Sequence, residues 1–253
     1  MGRDNKNHVF LESGPRGGDF AFDFAVTNVF DDMLVRSIPF YSEQQSMVMS
    51  IAKKFCVPNT DVYDLGFSTG TTLINLCHEI GGAGRYIGYD NSQFMLERAK
   101  LNVDKANLMD KIDLRLGDLN GDLGQLRLKN ASVVTMLWTL QFIRPLQREK
   151  LVRWIYNGLI ENGVLIVTEK VLTNNTDMNR FFIDFYYDFK RKKGYMEEEI
   201  RRKREALENV LIPYRTDENF EMFHRNNFTV AEPFFRWFNF IGLMAIKKEK
   251  VKK

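Results

Sequence analysis

From position 61 onward, short apolar runs alternate with segments whose apolar residues recur at helical spacing. Residues 61–65, 85–89, 112–116, 131–137 and 163–168 predict five strands. The run 131–137 is apolar almost throughout, as a central parallel strand covered on both faces requires. Residues 71–80, 92–105 and 148–158 predict the intervening helices, with Ser92 placed to cap one of them. This alternation specifies an α/β fold: a doubly wound, Rossmann-like, mostly parallel sheet with crossover helices. Upstream, residues 20–36 and 43–55 predict two helices parted at Pro39, which breaks helix continuity. Met47, Ile51 and Phe55 mark the expected buried face of the second. The alternation stops at Glu169. Residues 177–211 read as two helices separated near Gly194, an insertion covering the site. A helix over 217–226 follows, and then two runs, 228–236 and 238–247, that predict an antiparallel hairpin on one sheet edge and bring the strands to seven. The simplest organisation is a flexible N-terminal arm (1–20) and one domain (21–253), with a helical cap over 21–60 and a helical insertion over 170–211.

Composition agrees with a packed core. Of 253 residues, 44% are hydrophobic and 27% charged, which is globular rather than disordered. No apolar run reaches the roughly 18 residues of a membrane span. The start, Met1 to Lys6, lacks the apolar segment of a secretion signal. Cys56 and Cys77 form neither a disulfide framework nor a metal spacing, and His8, His78 and His224 are scattered, so no metal is expected. Two buried thiols in a reducing cytoplasm is the expectation. Net charge is only +3, but basic residues cluster at Lys190–Lys193, at Arg201–Arg204 and in the C-terminal tail. These suit either a solvated helix face with a loose tail or a surface for an anionic substrate or RNA.

The chemistry concentrates at predicted strand ends, because ligands of open parallel sheets sit beyond the carboxyl ends of the strands. In Val62-Tyr63-Asp64-Leu65-Gly66-Phe67-Ser68-Thr69-Gly70 a strand delivers the chain to a turn with two glycines. Glycine there permits backbone conformations and close approaches that a side chain blocks. About 20 residues on, a second strand ends at Asp90-Asn91, where an acid suits ribose hydroxyls. A third ends at Gly117, with Asp118 and Leu119 next. Asp118 suits an adenine edge, or simply a turn acid before Gly121. Ser68 stands where a dinucleotide fingerprint wants glycine, and no P-loop pattern occurs. The glycine turn and the two acids together resemble the class I S-adenosylmethionine-dependent methyltransferases, whose fold the closing hairpin also fits.

A closer resemblance covers nearly the whole chain. Arg36-Ser37-Ile38-Pro39-Phe40-Tyr41-Ser42, Tyr63-Asp64-Leu65-Gly66, Asp90-Asn91-Ser92 and Thr139-Leu140-Gln141-Phe142 resemble the carboxy-S-adenosylmethionine synthase family in sequence and spacing. So do Asp188-Phe189-Lys190-Arg191, Gly194-Tyr195, Leu207-Glu208-Asn209-Val210 and Phe238-Asn239-Phe240. The resemblance implies an enzyme that converts S-adenosylmethionine and prephenate to carboxy-S-adenosylmethionine and phenylpyruvate, a sulfonium ylide capturing the released carbon dioxide. It implies a homodimer whose product serves a tRNA carboxymethyltransferase building 5-oxyacetyluridine at the wobble position. On this resemblance Arg204 falls where the family binds the new carboxylate, a task suited to a guanidinium fork. Tyr41 falls on the cofactor-contacting tyrosine, Gly66, Phe67 and Ser68 on the backbone contact, Asp90 and Asn91 on the ribose contact, and Asp118 and Leu119 on the adenine contact. Without the resemblance, Arg204 reads as a surface arginine and Tyr41 as a core aromatic beside Pro39.

Three departures bear on the substrate. The family has a small or thiol residue at Phe67, an asparagine that contacts the cofactor at Leu137, and histidines at Tyr186-Tyr187. Losing one hydrogen bond at Leu137 costs about 1 kcal/mol, enough to weaken cofactor binding several-fold. Two other readings stay open: an ordinary methyltransferase acting on tRNA or a small anion, and a non-catalytic binding module that docks to a tRNA enzyme through residues 190–204.

Overall fold

The structure is a computed structural model that describes residues 24–248. The arm expected over 1–20 and the basic tail beyond Lys248 lie outside the described residues. Two helices lead, α1 (Phe24–Ser37) and α2 (Tyr41–Phe55). Pro39 ends the first, and Phe40 turns the chain with a positive φ of 55° before the second begins.

Eight strands follow: β1 (Asp61–Leu65), β2 (Arg85–Asp90), β3 (Ile112–Leu116), β4 (Ala131–Leu137), β5 (Leu159–Leu172), β6 (Tyr214–Arg215), β7 (Val230–Trp237) and β8 (Phe240–Ile246). The helices between them are α3 (Thr71–Glu79), α4 (Gln93–Lys105), α5 (Pro145–Gly158), α6 (Thr176–Lys192), α7 (Glu197–Leu207) and α8 (Thr216–Arg225). The sheet runs β3-β2-β1-β4-β5-β8-β7, parallel from β3 to β5 and antiparallel across β8 and β7. The strand order reverses between β1 and β4, and a ligand crevice opens at such a switch point.

The alternating side-chain direction of the strands divides the core into two faces. Tyr63, Leu65, Val134, Met136, Leu165 and Val167 pack with Leu151 and Ile155 of α5 and with Met222 and Phe223 of α8. Val62, Val133, Val164 and Ile166 pack with Val48 and Ala52 of α2 and with Leu73 and Leu76 of α3. Each fully buried aliphatic side chain contributes about 1.5–3 kcal/mol. That burial holds the strand ends, and hence the loops beyond them, in fixed positions.

The structure corrects the sequence expectation in three places. The buried stripe of α2 is Gln44, Val48, Met49 and Ala52, while Met47 is exposed. Small Ala52 lets the helix approach the sheet closely, and Ile51 and Phe55 pack only at the margin. Helix α5 starts at Pro145 rather than 148, since proline suits a first turn whose amide lacks a partner anyway. The sheet has an eighth strand: β5 continues to Leu172 and pairs in parallel with two-residue β6. Ser92 caps α4 as expected, its Oγ accepting from Met95 N at 3.3 Å. Among the described residues no helix is long and apolar enough to cross a membrane.

Candidate functional site: a cavity across the strand ends

Beyond the carboxyl ends of β1 to β5 lies a cavity of about 640 Å³. Its floor is the glycine turn. Gly66 has φ +85°, and a Cβ there would stand 2.3 Å from Thr139 Oγ1, so only glycine fits. Gly70, at φ +83°, precedes α3. Ser68 adopts a positive φ of 51° without being glycine. Its amide donates to Asp90 Oδ2 at 2.9 Å, while Ser92 N donates to Asp90 Oδ1 at 2.9 Å. Asp90 thus buckles the loops after β1 and β2 together. Burial raises its carboxyl, and the amide bonds oppose that rise.

Asp64, the last acid of β1, also lines the cavity. Burial pushes it up to about 7, opposed by a 2.7 Å hydrogen bond from Thr135 Oγ1 and reinforced by the charge of Asp90. Asp118 accepts from Asn120 N at 2.9 Å through Oδ1, and its carbonyl accepts from Gly121 N at 3.1 Å. It therefore closes its own turn and lines the cavity as well. Leu119 lines the cavity but joins the core, and Asn91 stands exposed at the rim. Phe67 is buried against Leu96 and Ala99, and its ring covers Gly88, where a Cβ would meet it at 2.6 Å.

The cap supplies a second wall. Tyr41 opens α2, and burial, with Asp31 and Asp64 adding, raises its hydroxyl well above the ordinary phenol range. Thr69 Oγ1 donates to Asp31 Oδ1 at 2.7 Å and ties α1 to the glycine turn. Gln45 Oε1 lies buried in this wall with no hydrogen-bond partner. Leu137 ends β4 at the margin of the core, and Trp138 follows with φ +61°. The Trp138 amide donates to Thr168 O at 2.7 Å, which fixes the loop.

The far end is basic and aromatic. Lys170 on β5, Tyr186 on α6, Lys203 on α7, Ser37 on α1 and Phe240 on β8 line it. Lys170 Nζ stands 4.0 Å from the Tyr186 ring centre. Burial pushes this lysine down to about 7, and nearby Lys190 adds to the shift. Lys190 Nζ lies 5.0 Å from the same ring and is pushed down to about 8 by burial, against the opposing charge of Glu199. Lys203 Nζ donates to Ser37 Oγ at 3.0 Å, and the same hydroxyl meets Tyr195 Oη at 2.7 Å. Burial, then the charges of Lys190, Lys170 and Arg36, hold Lys203 well below an ordinary lysine.

Behind this end Arg148 is fully buried, its guanidinium 4.1 Å from the Tyr214 ring centre. It donates to Ile143 O at 2.9 Å, to Gln141 O at 3.2 Å and to Ile212 O. Gln141 Oε1 in turn accepts from Lys170 N at 2.9 Å.

Tyr41, Gly66, Phe67, Ser68, Asp90, Asn91, Asp118, Leu119 and Leu137 are therefore brought together around one cavity. Arg204 is not. It is exposed on α7, while its neighbour Lys203 points inward. Sequence reasoning missed Asp64, Gln45, Lys170 and Lys203. Asp64 and Lys170 both sit at strand ends, the signal that could have found them. Among the described residues no cluster of His, Cys, Asp or Glu is placed to hold a metal ion.

The lining suits an adenosyl sulfonium. Asp64, Asp90 and Asp118 line it and can accept from hydroxyl and amine groups, the glycine turn allows close approach, and the unpaired Gln45 oxygen can accept from an amine. Residues 62–163 match the sequence family described as a methyltransferase domain. A putative S-adenosyl-L-methionine-dependent methyltransferase from Methanococcus maripaludis superposes with a TM-score of 0.63 at 18% identity, over 95% of this chain and all of that one. The fold is thus the Rossmann-like methyltransferase fold. The carboxy-S-adenosyl-L-methionine synthase of Methylococcus capsulatus is 46% identical over 96% of this chain and all of the relative. That of Desulfotalea psychrophila is 44% identical over 97% of this chain and 99% of the relative. The chain belongs to the carboxy-S-adenosyl-L-methionine synthase family, a family of transferase-type enzymes.

Proposed function

We propose that the protein converts S-adenosyl-L-methionine and prephenate to carboxy-S-adenosyl-L-methionine and phenylpyruvate. Similarity along nearly the whole chain to relatives bearing the synthase name carries this reading. The cofactor supplies a sulfonium-activated methyl group that can lose a proton. Prephenate loses one carboxylate as carbon dioxide, and its ring hydroxyl leaves with that proton as water. The new carbon–carbon bond forms between the former methyl carbon and carbon dioxide.

The residues divide the work. Asp90, with lone pairs beyond those used by Ser68 N and Ser92 N, accepts from the ribose hydroxyls, and Asn91 flanks it. Asp118 and the backbone at Leu119 face the adenine edge. Gly66, Phe67 and Ser68 approach the cofactor through their main chain. Tyr41 presents its ring to the sulfonium and its hydroxyl, held protonated, to a carboxylate. Leu137 packs without a hydrogen bond. Arg204 pairs with the product carboxylate by reaching into a neighbour's cavity across a homodimer, since in its own chain it lies outside the lining. The product then serves a cytoplasmic tRNA carboxymethyltransferase, with no membrane involved.

Mass spectrometry of the cofactor after incubation with S-adenosyl-L-methionine and prephenate tests the reaction. The expected product is heavier by ~44 Da, the mass of carbon dioxide. An unchanged cofactor mass in a chain that binds it sinks the proposal. S-Adenosylhomocysteine accumulating with a methylated tRNA or small anion would instead establish an ordinary methyltransferase. The exposed position of Arg204 in the single chain favours testing that outcome directly.

A further inference from the structure

Helix α1 walls the cavity through Phe30, Met33, Leu34 and Ser37, yet these side chains stand apart from both faces of the main core. Phe30 and Met33 pack with Met95 of α4, and Leu34 leans on them, as a small separate cluster. An element resting on so little shared core among the described residues belongs to the low end of local stability. A polar contact joins it to the glycine turn. Thr69 Oγ1 donates to Asp31 Oδ1 at 2.7 Å, and Thr71 Oγ1 reaches the same oxygen at 3.4 Å. The two hydroxyls lie 3.3 Å apart and flank Gly70. Gly70 is the cap position of α3 and has no side chain to offer that helix. Asp31 brings to the first turn of α3, from another helix, the negative charge that a helix N-terminus favours. On the turn's side the contact is fixed. Thr69 is buried, and its carbonyl accepts from Asn102 Nδ2 at 2.9 Å. On the α1 side Asp31 is exposed, outside the cavity lining. The carboxylate therefore closes two cavity walls on each other from the solvent side.

We propose that Asp31 is a positioning residue for the bound cofactor: it clasps α1 to the glycine turn at Thr69 and Thr71, and the opening of this clasp sets how fast an adenosyl ligand leaves. The effect on the ligand rests on the reading under Proposed function that the cavity takes S-adenosyl-L-methionine. The ligand lies on the turn through Gly66, Phe67 and Ser68, with α1 across from them. Separating those walls breaks the hydrogen bond between Thr69 and a charged acceptor, which is among the stronger kinds. Closing them again places Tyr41, at the start of the next helix, over the cofactor, and the charge of Asp31 acts on its hydroxyl. Asp31 touches no reacting atom, so its action falls on the lifetime of the complex.

Stopped-flow fluorescence of the full chain with S-adenosyl-L-homocysteine tests this, Trp138 in the cavity wall serving as reporter. Asp31→Ala and Thr69→Val are each expected to speed dissociation about tenfold, with association changed less than about threefold. The double variant should dissociate within about twofold of either single one, because both remove the same bond. Asp31→Asn keeps an acceptor oxygen and should recover to within about threefold of wild type. Hydrogen exchange of the ligand-free chain supplies the second measurement. Amides of α1 should exchange faster in Asp31→Ala while those of β1 and β4 stay protected, which separates an opened clasp from a weakened fold. Wild-type dissociation in both single variants, or effects that multiply in the double variant, overturns the clasp. If wild type fails to bind S-adenosyl-L-homocysteine, the cofactor reading falls, and exchange decides the clasp alone: unchanged α1 amides overturn it, and faster exchange confined to α1 upholds it.

Discussion

The two ends of the cavity solve opposite electrostatic problems. At the β1–β3 end, acids are buried close together, and Asp64 is pushed up to about 7. Backbone amides compensate there, with Ser68 N and Ser92 N both donating to Asp90. At the β5 end, lysines are buried close together, and aromatic faces stand between them. Main-chain donors are fixed by the turn and cost little to aim. A cluster of ammonium groups needs side chains from four separate elements to hold it. The first end is local and rigid, the second an assembly of distant parts.

The largest effect should come from the rigid end. Gly66→Val places a side chain into Thr139 at a left-handed φ and should destabilise the fold by about 3 kcal/mol or more. Thermal unfolding reads this, and a wild-type midpoint would show the turn to be pliable. Next, Asp90→Asn removes the charge and one of two amide bonds. Affinity for S-adenosyl-L-homocysteine should fall about tenfold or more by calorimetry. Equal affinity would move ribose recognition elsewhere.

The assembled end is tested by pH. Lys170 and Lys190 have folded values near 7 and 8, below the ordinary 10.5. Between those values and about 10.4 the unfolded chain binds more protons. Stability therefore rises with pH across that window, and the penalty is full below pH 7, where both states are protonated. Lys170→Met should flatten the rise in thermal midpoint between pH 7 and about 10. A slope identical to wild type would mean that Lys170 is charged throughout. The smallest effect is expected where the two ends meet. Leu137→Asn should strengthen S-adenosyl-L-homocysteine binding about fivefold by adding one hydrogen bond. Weaker binding would show that Leu137 is packed too well in the core to replace.

The same contrast explains what could be read in the sequence. The parallel strands and their terminal acids were legible because each is a contiguous apolar run followed by its own turn. Phe67 reads in sequence as a departure inside the turn, whereas in the fold its ring covers Gly88. Strand β6 has two residues and no period to detect. The α2 stripe was misplaced because small Ala52 and polar Gln44 carry less apolar signal than Met47 or Phe55. The lysine end was illegible for a stronger reason. Ser37, Lys170, Lys190 and Lys203 are far apart in the chain, and in sequence the basic residues at 190–193 and 201–204 look alike. Which of them turns inward is decided by helix phase: Lys203 enters the cavity and Arg204 does not.

Arg148 has a mechanical consequence. One guanidinium holds carbonyls of Gln141, Ile143 and Ile212, and Gln141 in turn holds the Lys170 amide. The loop after β4, the tip of β5 and the return from the helical insertion are riveted at a single point. A ligand that pulls on any one of them loads the other two, so these three segments shift as one body or not at all.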